Sequence, residues 1–97
     1  MVRLRYRIAL VADPDVFVDG EHAFASAGQS GVILRYLASH LEALRRGDLS
    51  PLYREIADRI EGGDRDGEFV FNANGEHARA EWTLEAEKPS GKKRYVN

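Results

Sequence analysis

The stretch EFVFNANGEHARAEWTLEAE, residues 68–87, leaves this chain the least conformational freedom. Asn74-Gly75 suits a type I′ turn, whose two central residues both take positive φ. Folding the flanking strands on that turn fixes the pairs: Ala73 with Glu76, Asn72 with His77, Phe71 with Ala78, Val70 with Arg79, Phe69 with Ala80. One face then carries Phe69, Phe71, Ala78, Ala80, Trp82 and Leu84. The other carries Asn72, His77, Arg79, Glu81, Thr83 and Glu85, with Val70 among them. A slip of one residue would bury Arg79 and Glu81, so the register is tightly specified. Alanines opposite phenylalanines leave room for a helix on the apolar face.

The opening segment VRLRYRIALV alternates in the same way. Val2, Leu4, Tyr6, Ile8 and Leu10 point one way, and Arg3, Arg5 and Arg7 the other. Period two with β-branched and aromatic residues predicts a strand with one face buried. Pro14 ends it, having no N–H for a ladder. In VFVDGEHAFASAG, Asp19-Gly20 between apolar runs is a hairpin signal. Either Val16, Val18, Ala23 and Ala25 are buried and Phe17 and Phe24 exposed, or the reverse. A third reading is one long strand, bulged at Gly20, paired with the first.

Two helices follow. Ser30 is the expected N-cap of the first, running from about Gly31 to Arg46. Ile33, Leu37, Leu41 and Leu44 form its apolar stripe, and Gly47 its stop. The second begins at SPLYREIADRIEGG, with Ser50 as cap and Pro51 at the first helical position. Its apolar face is Leu52, Tyr53, Ile56, Ala57 and Ile60. The expected architecture is α+β: an antiparallel sheet of about four strands with both helices on one face, in the order β-β-α-α-β-β. Tyr6, Ile8, Leu37, Leu41, Ile56, Ile60, Phe69, Phe71, Trp82 and Leu84 are its expected core. Residues 1–87 read as a single domain and 88–97 as a basic, loosely ordered tail.

The chain has 97 residues, 43% hydrophobic and 31% charged, with a formal charge of −2. This composition fits an ordinary globular domain and demands no polyanionic or polycationic partner. Cysteine is absent, which removes disulfides, thiolate metal sites and cysteine nucleophiles. No apolar run has the length of a signal peptide or a membrane span, so a cytoplasmic protein is expected.

GEHAFA at Gly20–Ala25 nearly repeats as GEHARA at Gly75–Ala80. The economical reading is the same turn chemistry used twice, with His22 on the polar face as His77 is. A metal site of His22, His77 and Glu21 or Glu76 would need both turns to converge, so no metal is assigned. DRDGE at Asp64–Glu68 resembles a calcium loop, but Gly62 and Ala73 would fill the first and twelfth ligand positions, and neither can. GQSG at Gly28–Gly31 lacks the lysine and spacing of a nucleotide fingerprint and reads as a capping loop. His40 reads as a half-buried packing residue of the first helix. No nucleophile motif surrounds any serine, so no catalytic residue and no cofactor are assigned.

Two surfaces remain. The Arg3, Arg5, Arg7 row with Arg79 can track phosphates, as can Lys92, Lys93 and Arg94 beside Tyr95 in the tail. If the first and last strands are neighbours, the same row faces Glu81, Glu85 and Glu87 and becomes a charge ladder. Phe17, His22 and Phe24 form an exposed aromatic patch if the valines are buried. The expected function is a small non-catalytic interaction or regulatory module, such as an adaptor, inhibitor or immunity-type protein. Its candidate interface is Phe17, His22, Phe24, Arg3, Arg5, Arg7, His77 and Arg79, meeting a protein partner or a second copy. The alternatives are nucleic-acid binding, or an enzyme or small-ligand protein with an unfamiliar site.

Overall fold

A computed structural model describes residues 1–44 and 49–86. It contains β1 (Val2–Leu10), β2 (Phe17–Phe24), α1 (Ala27–Ala43), α2 (Ser50–Glu61), β3 (Asp66–Ala73) and β4 (Glu76–Ala86). The fold is α+β, with one antiparallel sheet in the order β2-β1-β4-β3. Two hairpins therefore meet along β1 and β4, and the helices cross from one edge strand to the other.

The β3–β4 hairpin has the register its turn dictates, from Ala73 opposite Glu76 to Phe69 opposite Ala80. Asn74 and Gly75 have φ of 57° and 87°, the left-handed backbone of that turn. Asn72 Oδ1 accepts from the N–H of Gly75 at 2.8 Å and holds it closed.

β2 corrects the Asp19-Gly20 hairpin. It is one continuous strand, paired without a bulge from Phe17 opposite Ala9 to Phe24 opposite Val2. The reversal comes earlier, in residues 11–16, where Asp13 Oδ1 accepts from Asp15 N–H and the Asp13 carbonyl from Val16 N–H. Seven positions separate Phe17 from Phe24, so period two places them on opposite faces. Phe17 lies on the open face and Phe24 is buried against the helices. His22 shares the parity of Phe24 and is half-buried on the helix side, away from the polar face expected of it. The two GEHA copies are not equivalent: the first is mid-strand, and only the second follows a turn.

α1 starts four residues earlier than expected. Ser26 is the N-cap, with extended backbone and its side chain accepting from Gln29 N–H. Ser30 lies inside the helix, fully buried, and donates to the Ala27 carbonyl. GQSG is thus the first turn of the helix and not a loop before it. The most deeply buried positions of α1 are Ser30, Gly31, Leu34 and Ala38. Ile33, Leu37 and Leu41 are half-buried, and Leu44 is exposed. The helix ends at Ala43, with Leu44 as its C-cap, and the Arg46-Gly47 end expected for it lies outside the described residues.

α2 buries the face read from its spacing: Leu52, Tyr53, Ile56, Ala57 and Ile60. Its cap is Leu49, without a side-chain hydrogen bond, and Ser50 is already helical. Arg35 of α1 reaches Asp58 and Glu61 of α2, and Arg54 of α2 reaches Glu42 and Ser39 of α1. The core between helices and sheet centres on Leu4, Leu34, Leu52, Ile56, Ala78, Ala80 and Trp82. No helix among the described residues is long and apolar enough to cross a membrane.

Candidate functional site

With both helices on one side, the other face of the sheet is uncovered. Its side chains follow from strand parity and register. β1 presents Arg3, Arg5 and Arg7. β2 presents Phe17, Asp19, Glu21 and Ala23. β4 presents His77, Arg79, Glu81, Thr83 and Glu85, and β3 presents Asp66, Glu68, Val70 and Asn72. The candidate interface residues Arg3, Arg5, Arg7, Phe17, His77 and Arg79 share this face. His22 and Phe24 lie on the other side of the sheet. The tail residues Lys92, Lys93, Arg94 and Tyr95 lie outside the described residues.

The arginine row is flanked by carboxylates on both sides. Arg3 Nη1 donates to Glu21 at 2.8 Å, and Arg5 lies 3.2 Å from Glu21 and 3.9 Å from Glu85. Arg7 forms a fork to Asp19, with contacts of 2.7 and 3.1 Å. That hydrogen bond raises the Arg7 pKa above its ordinary value and lowers that of Asp19. The Arg7 guanidinium also lies over the Phe17 ring, 4.1 Å from its centroid. These pairs are well exposed, so they set geometry and partner choice more than stability.

An open trough of about 900 Å³ crosses this face. Arg5, Arg7, Asp19 and Glu21 line one end, Thr83 and Glu81 the middle, and Asp66 and Glu68 the far end. Across the strands the charge runs acidic on β2, basic on β1, then acidic on most of β4 and on β3. The far half has the excess of carboxylate. Glu68 stands directly opposite Glu81, an arrangement that costs a sheet stability. Arg79, at 3.7 Å from Glu68, is the cation beside them. Asp19, Glu21, Asp66 and Glu68 were not identified as site residues from the sequence. Their signal was acidic side chains at alternate positions of two strands, meaningful only once both strands were known to flank the arginine-bearing centre.

A second constellation lies beneath the sheet. Tyr6, His22 and Tyr53 meet between β1, β2 and α2. The Tyr6 and Tyr53 hydroxyls are 3.3 Å apart, and Tyr53 Oη is 3.5 Å from His22 Nε2. The His22 ring stacks on Tyr6 and meets Tyr53 edge-on. Burial lowers the His22 pKa and raises that of Tyr53. At neutral pH the histidine is therefore uncharged and Tyr53 is a weaker acid than free tyrosine. Among the described residues the three rings pack on one another and share hydrogen-bond contacts through their polar atoms.

His22 and His77 lie on opposite faces and near opposite ends of the sheet, so the two GEHA segments do not converge. Among the described residues no group of three or more histidine, cysteine or acidic side chains could hold a metal ion. His40 is exposed and stacked on Tyr36, in place of the half-buried role expected of it. No protein-family model matches this chain, and no curated protein or solved structure matches it either.

Proposed function

We propose that this chain is a non-catalytic protein-interaction module whose open sheet face takes a lysine- or arginine-bearing segment of a partner protein. The observation that carries this reading is the acidic half of the trough, where Glu68 faces Glu81 and Asp66 stands beside them. Like charges set directly opposite one another are unfavourable in the free protein and become favourable when a cation enters between them. The arginines on β1 mark the other end and give the trough a direction. An acidic side chain of the partner can compete there for Arg5 or Arg7.

Nucleic-acid binding draws on the same arginines, and their pairing weakens it. A phosphate must displace Asp19 and Glu21 from Arg3, Arg5 and Arg7 and then lie beside Glu81 and Glu85. Fluorescence anisotropy with labelled peptides and oligonucleotides at low salt separates the readings. Basic peptides should bind, weaken with salt, and lose binding to the double variant Glu68→Lys/Glu81→Lys. Saturable oligonucleotide binding with no response to basic peptides would overturn the proposal.

A further inference from the structure

α1 has 17 residues, and only Arg35 and Glu42 among them carry formal charge. Both are engaged by α2, Arg35 with Asp58 and Glu61, and Glu42 with Arg54. The side of α1 turned to solvent has no formal charge, in a chain of which 31% is charged. At 100° per residue Tyr36 points directly away from the buried Leu34, with Val32 and His40 beside it. Val32 is 67% exposed, Tyr36 68% and Leu44 54%, and half-buried Ile33 and Leu37 widen the band. The His40 ring stacks on Tyr36 with centroids 6.2 Å apart. Gln29, Ser39 and His40 make the exposed side of α1 polar in part yet leave it without formal charge, and neither the sheet nor α2 covers Val32 or Tyr36.

We propose that the exposed face of α1 pairs with α1 of a second copy, antiparallel, about a two-fold axis beside Tyr36. Charge selects this occupant. An isologous contact sets a patch against itself, so any charge on it would meet its like, and this patch has none. A partner recognised by charge has nothing to read here, while the trough on the opposite side of the molecule offers it a great deal. Position supports the same choice. Tyr36 lies near the middle of α1, so a crossing there overlaps both helices along most of their length. It sets Val32 of one protomer beside the His40–Tyr36 stack of its partner. Two helix faces about 25 Å long make an interface at the low end of specific contacts, below about 1,200 Å². A contact of this size fits a weak dimer, for which an affinity in the micromolar range is expected. Its two troughs face away from each other, which makes the assembly bivalent.

Sedimentation equilibrium from about 1 to about 200 µM, spanning that range, tests this. The wild-type mass should rise with concentration from one chain toward two. Tyr36→Glu and, independently, Val32→Glu should weaken association at least about 30-fold, the effect of removing a central anchor. Both positions are exposed, and unchanged far-ultraviolet circular dichroism confirms that each variant is folded. A wild-type chain that stays monomeric at the highest concentration would overturn the proposal. So would a dimer that persists in both variants, or one that is lost only when the trough residue Glu81 is reversed to lysine.

Discussion

Tyr6 and Trp82 stand directly opposite each other across the central β1–β4 pair, and each ring lies over a glycine of the adjoining edge strand. Gly20 is opposite Tyr6 on β2, and Gly67 is opposite Trp82 on β3. The row Gly20–Tyr6–Trp82–Gly67 therefore spans the whole sheet, with two large rings at the centre and no side chain at either edge. Its other side is the floor of the trough.

Gly20→Ala should destabilise the protein more than Gly67→Ala. A Cβ at Gly20 would overlap Cζ and Oη of Tyr6, and moving that ring breaks its contact with Tyr53. A Cβ at Gly67 would lie 3.2 Å from Nε1 of Trp82, tight but tolerable with a small shift. The expected cost at Gly20 is about 1–3 kcal/mol by urea denaturation, the usual range for overpacking. Adding Tyr6→Leu should relieve part of it. Equal midpoints for Gly20→Ala and wild type would remove the steric role of the glycine.

His22 predicts a stability change above the acid range of the carboxylates. Its folded pKa is lowered by burial, so between about pH 6.5 and that lower value the unfolded chain binds the extra proton. The associated stability is fully present above about 6.5, the pKa of an unburied histidine, and is lost as pH falls through the folded value. The urea midpoint should drop over this window in wild type and stay flatter in His22→Phe. Asp19, Glu42 and Glu61 are lowered by hydrogen bonds from arginine, so their contribution is lost at still lower pH. Parallel curves for the two proteins across the histidine window would exclude His22 as the source.

The charge ladder predicts a gain of function by neutralisation. In Asp19→Asn/Glu21→Gln/Glu85→Gln, Arg5 and Arg7 lose these carboxylate partners, and the variant should be retained on heparin or single-stranded DNA with strong salt dependence. Wild type should elute at low salt. Equal retention of the two would mean that the carboxylates do not occupy the arginines in solution.

Ser26→Ala should cost about 0.5–2 kcal/mol, the usual cost of a lost helix cap. Leu34→Ala, in the fully buried stripe, should cost about 2–5 kcal/mol. Leu44→Ala, at an exposed position, should change little. Chemical denaturation of the three ranks them. A larger loss at Leu44 than at Leu34 would return the helix to the face its spacing first suggested.

Where the sequence was readable, one signal sufficed. Asn74-Gly75 and the alternation around it determine the register of β3 and β4, because turn chemistry and burial agree there. α2 was readable because its apolar residues lie on one side only. β2 and α1 were not, for different reasons. Gly20 looks like a turn residue locally but is needed for the space under Tyr6, a demand from another strand. α1 has apolar residues all round, so period alone cannot say which face the sheet takes. Gly28 and Gly31 inside the helix also disguise its start at Ser26. The site was half visible: the arginine row and the β4 glutamates follow from alternation. The acidic far wall required the strand order, which no local pattern contains.

Among the described residues, the strands that meet at the centre of the sheet are the first and the last, with Val2 opposite Ala86. Contacts so distant in sequence form slowly, because the chain must close a long loop before they repay it. The floor of the trough comes from all four strands, so it cannot exist on either hairpin alone. During synthesis the trough appears only after β4 has been made and has inserted between β1 and β3. A partner that recognises this face is thereby reading whether folding is complete, and a nascent or half-folded chain is invisible to it.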